Sequence, residues 1–284
     1  MLVDLIHTAA RDGVRLDGTF QAAAVAHPAL DAAVCVHGTG SNFYSSTLFD
    51  LLAERFLTLG IGVLRVNTRG HDLVSNAATP RGGRRLGAAY EALDDCRHDL
   101  AAWVGWLKDR RQSRVVLVGH SSGAVKCLYA AAHEPDEAVR GVVAISPPRL
   151  SHAWFAQSEK AGEFLNTYRQ AQALVAAGEP GALLDVTMPL PFVTTAAGYV
   201  EKYGPGERYN YVTFLGRLRC PMLVTLGDNE VEGNVAFRGA PAAIAGAAPR
   251  ARVEVVTGAD HFYTGVREAL ADRVEAWLLG AESW

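Results

Sequence analysis

Cysteine is scarce in this chain and never paired. Cys35, Cys96, Cys127 and Cys220 are the four cysteines among 284 residues, and no C-x-x-C spacing occurs. That excludes a disulfide scaffold and a cysteine-based zinc site. Three of them fall in or beside apolar runs, so buried free thiols in a reducing compartment are expected. An H-E-x-x-H metal motif is also missing. Neither charge sign dominates: 27 Lys and Arg face 30 Asp and Glu, a formal net charge of −3. Such a balance gives no basic surface for nucleic acid. No apolar run approaches the ~20 residues that span a bilayer. Met1-Leu2-Val3-Asp4 carries an early acid and no basic n-region, so a cytoplasmic location and no membrane partner are expected. Internal repeats and low-complexity tracts are absent too.

What remains is ordinary globular composition, 49% hydrophobic and 20% charged, long enough for one large α/β domain with an insertion or for two domains. Residues 3–9 and 14–24 read as a hairpin around Arg11-Asp12-Gly13. Short apolar runs at 32–36, 62–67, 115–118 and 139–145 read as buried strands. Between them lie amphipathic stretches: 44–59 (stopped at Gly60), 89–110 and 124–130. Residues 73–88 read as an irregular connection. This alternation predicts an α/β fold with a mostly parallel central sheet and helices on both faces.

Residues 149–216 break the rhythm. They hold two helix-like pieces (153–165 and 166–177), a bend at Met188-Pro189-Leu190-Pro191-Phe192, and many aromatics, from Trp154 to Phe214. The sheet pattern then resumes with strands at 221–226 and 253–256 and helices at 240–248 and 266–279. The expected organisation is a core of residues 1–148 and 217–284, with 149–216 inserted as a lid over a pocket. Its aromatics are expected to form a satellite core, with some lining that pocket.

The pattern Gly119-His120-Ser121-Ser122-Gly123 stands between the strand at 115–118 and the helix that follows. Gly-x-Ser-x-Gly at a sharp strand-to-helix turn exposes the central hydroxyl, and the flanking glycines leave it room. The backbone N–H of Ser122 would then face a developing oxyanion. A serine hydroxyl needs a neighbouring base, and the base needs an orienting third group. Among nine histidines, His261 is preferred, because it follows the last strand and parallel strands deliver their carboxyl ends to one edge. His120 should point away from the hydroxyl. The loop Gly227-Asp228-Asn229-Glu230 offers two carboxylates. Glu230 is preferred because its longer offset lets the chain curl back toward the histidine; Asp228 is next.

The elbow, the order Ser…acid…His, and His37-Gly38-Thr39-Gly40 after an early strand together resemble the α/β-hydrolase superfamily over essentially the whole chain. The resemblance implies that Ser121 is the nucleophile and His261 the base, with the acid at Glu230 or Asp228; many relatives carry Asp at the position of Glu230. It further implies that the backbone N–H of Thr39 completes an oxyanion hole with Ser122. The expected activity is hydrolysis of a small-molecule carboxylic ester, or of an amide or lactone, without cofactor or metal. A non-hydrolytic ligand-binding protein or a lyase on the same fold is the alternative.

Other features yield less. His37-Gly38-Thr39-Gly40-Ser41-Asn42 has two glycines of a dinucleotide-binding turn, but Phe43 occupies the third position and the next strand ends in Asn67. Arg81, Arg84 and Arg85 form a basic group that would greet an anionic substrate or simply face solvent. Tyr44, beside the His-Gly loop, is a candidate pocket wall. Neither the substrate's two halves nor the oligomeric state follows from the residues.

Overall fold

The computed structural model describes residues 3–280. β1 (Asp4–Ala9) and β2 (Arg15–Gln21) form the leading hairpin, turned at Gly13. β3 (Ala32–Val36) is followed by α1 (Thr47–Thr58) and β4 (Gly62–Val66). A small hairpin of β5 (Ser75–Thr79) and β6 (Gly82–Leu86) precedes α2 (Cys96–Lys108). Then come β7 (Val115–His120), α3 (Ser122–His133) and β8 (Val139–Ile145).

The next stretch holds α4 (His152–Phe155), α5 (Ala161–Ala176), the hairpin of β9 (Leu183–Val186) and β10 (Phe192–Thr195), and α6 (Ala196–Tyr203). β11 (Met222–Gly227), α7 (Asp228–Gly233), α8 (Ala240–Ala247), β12 (Arg252–Val256) and α9 (Arg267–Leu278) complete the chain. Among the described residues no helix is long and apolar enough to cross a membrane.

Eight strands form one sheet in the order β1-β2-β4-β3-β7-β8-β11-β12, and only β2 runs against the rest. Its central strands are apolar on both faces, and alternation decides which core each residue enters. Val34, Leu117 and Val142 pack with α2, α3 and the 149–216 segment, whereas Cys35, Val116 and Val143 pack with α1 and α9. From β3 the chain crosses one face through α1 to β4; from β7 it crosses the other through α3 to β8. The connections therefore diverge between β3 and β7, and a crevice opens at the carboxyl ends of those two strands.

Local hydrogen bonds explain where elements depart from the periodicity. α1 starts at Thr47, not at residue 44, because Asn42 Oδ1 takes the N–H groups of Tyr44 and Ser45 and Ser46 caps the helix through Phe49 N–H. α2 starts late because Ala88 and Ala89 donate to Asp72 and Leu73, and Ala89 accepts from Thr195. The helix break in the insertion falls near Ser158, whose hydroxyl donates to Phe155 O and accepts from Lys160 N–H. α5 consequently runs unbroken through Asn166. The β5–β6 and β9–β10 hairpins and α6 are too short, or too polar, to stand out by periodicity. All four cysteines are free; Cys35, Cys96 and Cys127 are buried and Cys220 partly so.

Candidate active site

Ser121 sits between β7 and α3 with φ +56° and ψ −126°. A non-glycine residue at such an angle costs about 1–3 kcal/mol and persists only where its surroundings impose it. Here they do: Ser121 N–H donates to Ile145 O of β8 at 2.9 Å, and Ala124 N–H returns to Ser121 O at 3.0 Å. The flanking glycines are required by close approach. A Cβ on Gly119 would lie 2.3 Å from Gly123 O, and one on Gly123 would lie 2.2 Å from Val36 O.

The hydroxyl meets the loop after β12. Ser121 Oγ lies 3.0 Å from His261 Nε2, and His261 Nδ1 donates to Glu230 Oε2 at 2.8 Å. The other carboxylate oxygen, Oε1, accepts from Gly227 N–H at 2.8 Å and from the Ser146 hydroxyl. Tyr263 OH stands 3.0 Å from Ser146 Oγ and 3.1 Å from Thr225 Oγ1. With Ser146 committed as donor to Glu230, the hydroxyls can align as Thr225 to Tyr263 to Ser146, every proton directed toward the carboxylate. An anion ringed by donors can stabilise an imidazolium without itself taking the proton.

Both loops are fixed to each other. Asp228, the other acidic candidate, accepts from Gly258 N–H at 3.0 Å and from Asn229 N–H at 2.8 Å. It braces the histidine loop and forms no hydrogen bond with His261. His120 points away from the hydroxyl, and its Nε2 donates to His261 O at 2.8 Å. Burial, with the nearby His261, pushes His120 down to about 3, so it stays neutral near neutral pH and adds no charge beside the imidazole. The buried Phe237 packs 5.1 Å, centroid to centroid, from the His261 ring.

The loop after β3 forms the opposite wall. His37 is buried; Nδ1 donates to Gly38 O at 2.8 Å and Nε2 accepts from Thr68 N–H at 3.1 Å. Burial and the Lys126 ammonium hold His37 near 3, which keeps that donor–acceptor pair in place near neutral pH. Gly38 lies so close that a Cβ there would come within 3.1 Å of Ser121 Cβ. Thr39 follows on this loop, and Ser122 opens α3, where a helix leaves its first N–H groups unpaired. Among the described residues neither backbone N–H donates to another protein group.

These residues border a cavity of about 460 Å³, a size that suits a small molecule. Gly38, Thr39, Ser121, Ser122 and His261 lie on its sheet side. The 149–216 segment adds Leu150, Leu190, Pro191, Phe192, Lys202 and Tyr203. Tyr44 is not a lining residue: it is 64% exposed and its ring meets Phe43 edge-on, while Ser45, Ser46, Thr47 and Leu48 face the cavity instead. The arginine group is likewise elsewhere. Arg84 pairs with Asp12 and Asp95, Arg85 lies over Tyr90, and neither they nor Arg81 lines the cavity.

Among the described residues no group of three or more His, Cys, Asp or Glu side chains is arranged to hold a metal ion. Sequence reasoning missed Ser146 and Tyr263, although Ser146 stands directly after a parallel strand, where site residues gather. It also missed Lys202, whose burial had no signal in the periodicity.

The sequence profile described as the Alpha/beta hydrolase family matches residues 33–273. The chain belongs to the Alpha/beta hydrolase family. Solved structures of similar architecture include Est1E from Butyrivibrio proteoclasticus with ferulic acid bound (16% identity, 98% of this chain and 99% of that one, TM-score 0.68). An alpha/beta hydrolase from Penicillium sp. sh18 is 16% identical over 100% of both chains, with a TM-score of 0.71. A Pyrococcus furiosus esterase is 17% identical over 98% of this chain and 90% of that one, with a TM-score of 0.63. At such identities these likenesses establish the alpha/beta hydrolase fold alone. No curated protein matches the chain significantly.

Proposed function

We propose that this protein is a serine hydrolase of carboxylic esters, working through an acyl-enzyme on Ser121. The observation that carries this reading is the line Glu230–His261–Ser121, with contacts of 2.8 and 3.0 Å, opening on a cavity beside two unengaged backbone N–H groups. His261 Nε2 takes the Ser121 proton as Oγ adds to the carbonyl carbon. The oxyanion accepts hydrogen bonds from Thr39 and Ser122 N–H, donors worth roughly 10²–10³ each in turnover. His261 then gives its proton to the leaving alcohol. A water enters, loses a proton to His261, and attacks the acyl carbon; collapse frees the acid and restores the Ser121 hydroxyl. Throughout, Glu230 holds the ring's orientation and balances the imidazolium.

In this reading residues 149–216 are a lid that supplies much of the wall around the substrate, while the core supplies the reacting groups. Amides and lactones present the same carbonyl and fall within the chemistry, but esters leave most readily. The test is steady-state hydrolysis of p-nitrophenyl esters of increasing acyl length. Saturable turnover that Ser121→Ala abolishes is expected; a folded wild-type protein inert toward every ester would overturn the assignment.

A further inference from the structure

α6 buries a lysine on the same face as its apolar side chains. Ala196, Tyr199, Lys202 and Tyr203 form its buried stripe, and Lys202 is only 7% exposed. The side chain lines the cavity beside Leu93, Leu190, Phe192 and Tyr203, with its Nζ 5.0 Å from the Phe192 ring centroid. Among the described residues no carboxylate forms an ion pair with it. The nearby carboxylate Glu91 is already held by Lys126, at 2.5 Å. Glu201, the next residue along the chain, is engaged by Tyr209 and Arg208.

Lys126 and Lys202 are both buried and Glu91 pairs with Lys126, which leaves the Lys202 ammonium as an unbalanced positive charge at the cavity wall. Burial drives the Lys202 ammonium's pKa down; Glu91 and Glu201 oppose this, and Lys126 reinforces it. An unpaired buried cation is unfavourable by several kcal/mol, and a methionine would fill the same space without that cost. The fold gives no reason for the lysine. A ligand anion does.

We infer that the substrate ester carries a carboxylate remote from the scissile bond, and that Lys202 is the residue that selects it. This rests on the hydrolase reading above and names the substrate class of the same site. The ester carbonyl lies at Ser121, the apolar wall receives the chain or ring between, and the carboxylate meets the Lys202 ammonium. Charge-assisted contacts of this kind are short and strong in a partly dry cavity.

The test compares matched pairs of esters that differ only in the remote group. One pair places the anion in the acyl half (mono-p-nitrophenyl adipate against p-nitrophenyl hexanoate). The other places it in the alcohol half (4-carboxyphenyl hexanoate against 4-carbamoylphenyl hexanoate). In wild type, at least one pair should favour the anion by tenfold or more in kcat/KM, mostly through KM. Lys202→Met should lower that ratio at least tenfold. Arg267→Gln, at another lining position, should retain it.

A ratio near one for both pairs in wild type overturns the inference, as does a ratio that Lys202→Met retains, whatever Arg267→Gln does. Should Lys202→Met fail to fold, wild-type protection decides: in at least one pair, adipic acid monoamide against hexanamide or 4-hydroxybenzoate against 4-hydroxybenzamide, the anionic member must slow fluorophosphonate labelling of Ser121 at least tenfold more effectively, and equal protection within both pairs overturns the idea. Labelled, ester-cleaving protein without anion preference sinks this inference alone. Absence of both labelling and ester turnover sinks the hydrolase reading beneath it.

Discussion

Among the described residues, the buried ionisable side chains around Arg69 and those around Glu230 are built on opposite principles. Around Arg69, whose side chain is fully buried, the guanidinium donates to Asp99, Asp12 and Asp95 over 2.7–3.2 Å. Asp99 Oδ2 also accepts Arg69 N–H. That cluster ties the loop after β4 to α2 and to the leading hairpin, and borders no part of the cavity. Around Glu230, by contrast, the network has a closed end and an open one: the carboxylate is filled by Gly227, Ser146 and His261, while the far end is a serine hydroxyl facing space. Buried charge therefore does not mark a site by itself. What the proposed site adds is a line of proton donors that ends at a cavity.

Substitution should separate the two clusters. Ser121→Ala and His261→Ala should each lower kcat by about 10⁴–10⁶-fold in steady-state assays while leaving the thermal melt in place, because residues that act as a unit fail as a unit. Glu230→Gln should cost about 10³–10⁴-fold, whereas Asp228→Asn, which only braces the loop, should stay within roughly tenfold. Equal losses for the two acids would erase the distinction drawn between them.

Arg69→Met should do the reverse of the serine variant. Stranding Asp99 in the core should lower urea-unfolding stability by about 3–5 kcal/mol, with kcat of the folded fraction close to wild type. A fall in kcat instead would show that the two clusters are coupled.

The smallest expected effect is an acid response where the core meets the 149–216 segment. Burial works to raise the Asp94 pKa, but hydrogen bonds from Arg97 and Tyr129 and the Arg208 charge bring it down to about 2. A carboxylate whose folded pKa is depressed contributes stability that is complete above its unfolded pKa, near 4, and fades as pH falls toward 2. Arg208 lies in the 149–216 segment, 2.8 Å from Asp94. Limited proteolysis within that segment should accelerate over this window in wild type and change less with pH in Asp94→Asn.

What the sequence made legible follows from the same contrast. The sheet could be read because its central strands are continuous apolar runs ending in glycine. The serine turn could be read because Gly119 and Gly123 are forced by approaches that admit no side chain. The choice between Asp228 and Glu230 stayed open because both lie on one short loop. What separates them is Glu230 folding back onto Gly227 N–H, while Asp228 reaches Gly258 instead. Tyr44 misled because the chain turns at Asn42, which moves the ring outside and Ser45 to Leu48 inside. Lys202 was invisible, since a lysine on a short amphipathic helix is normally solvated.

The proposed reaction depends on one hydroxyl made nucleophilic by one imidazole. The most direct measurement is intact-protein and peptide mass spectrometry after brief exposure to a fluorophosphonate. One phosphonyl group per chain, on the peptide carrying Ser121, is expected in wild type, slowed by orders of magnitude in His261→Ala and gone in Ser121→Ala. An unmodified wild-type chain, or modification on any other residue, would contradict it.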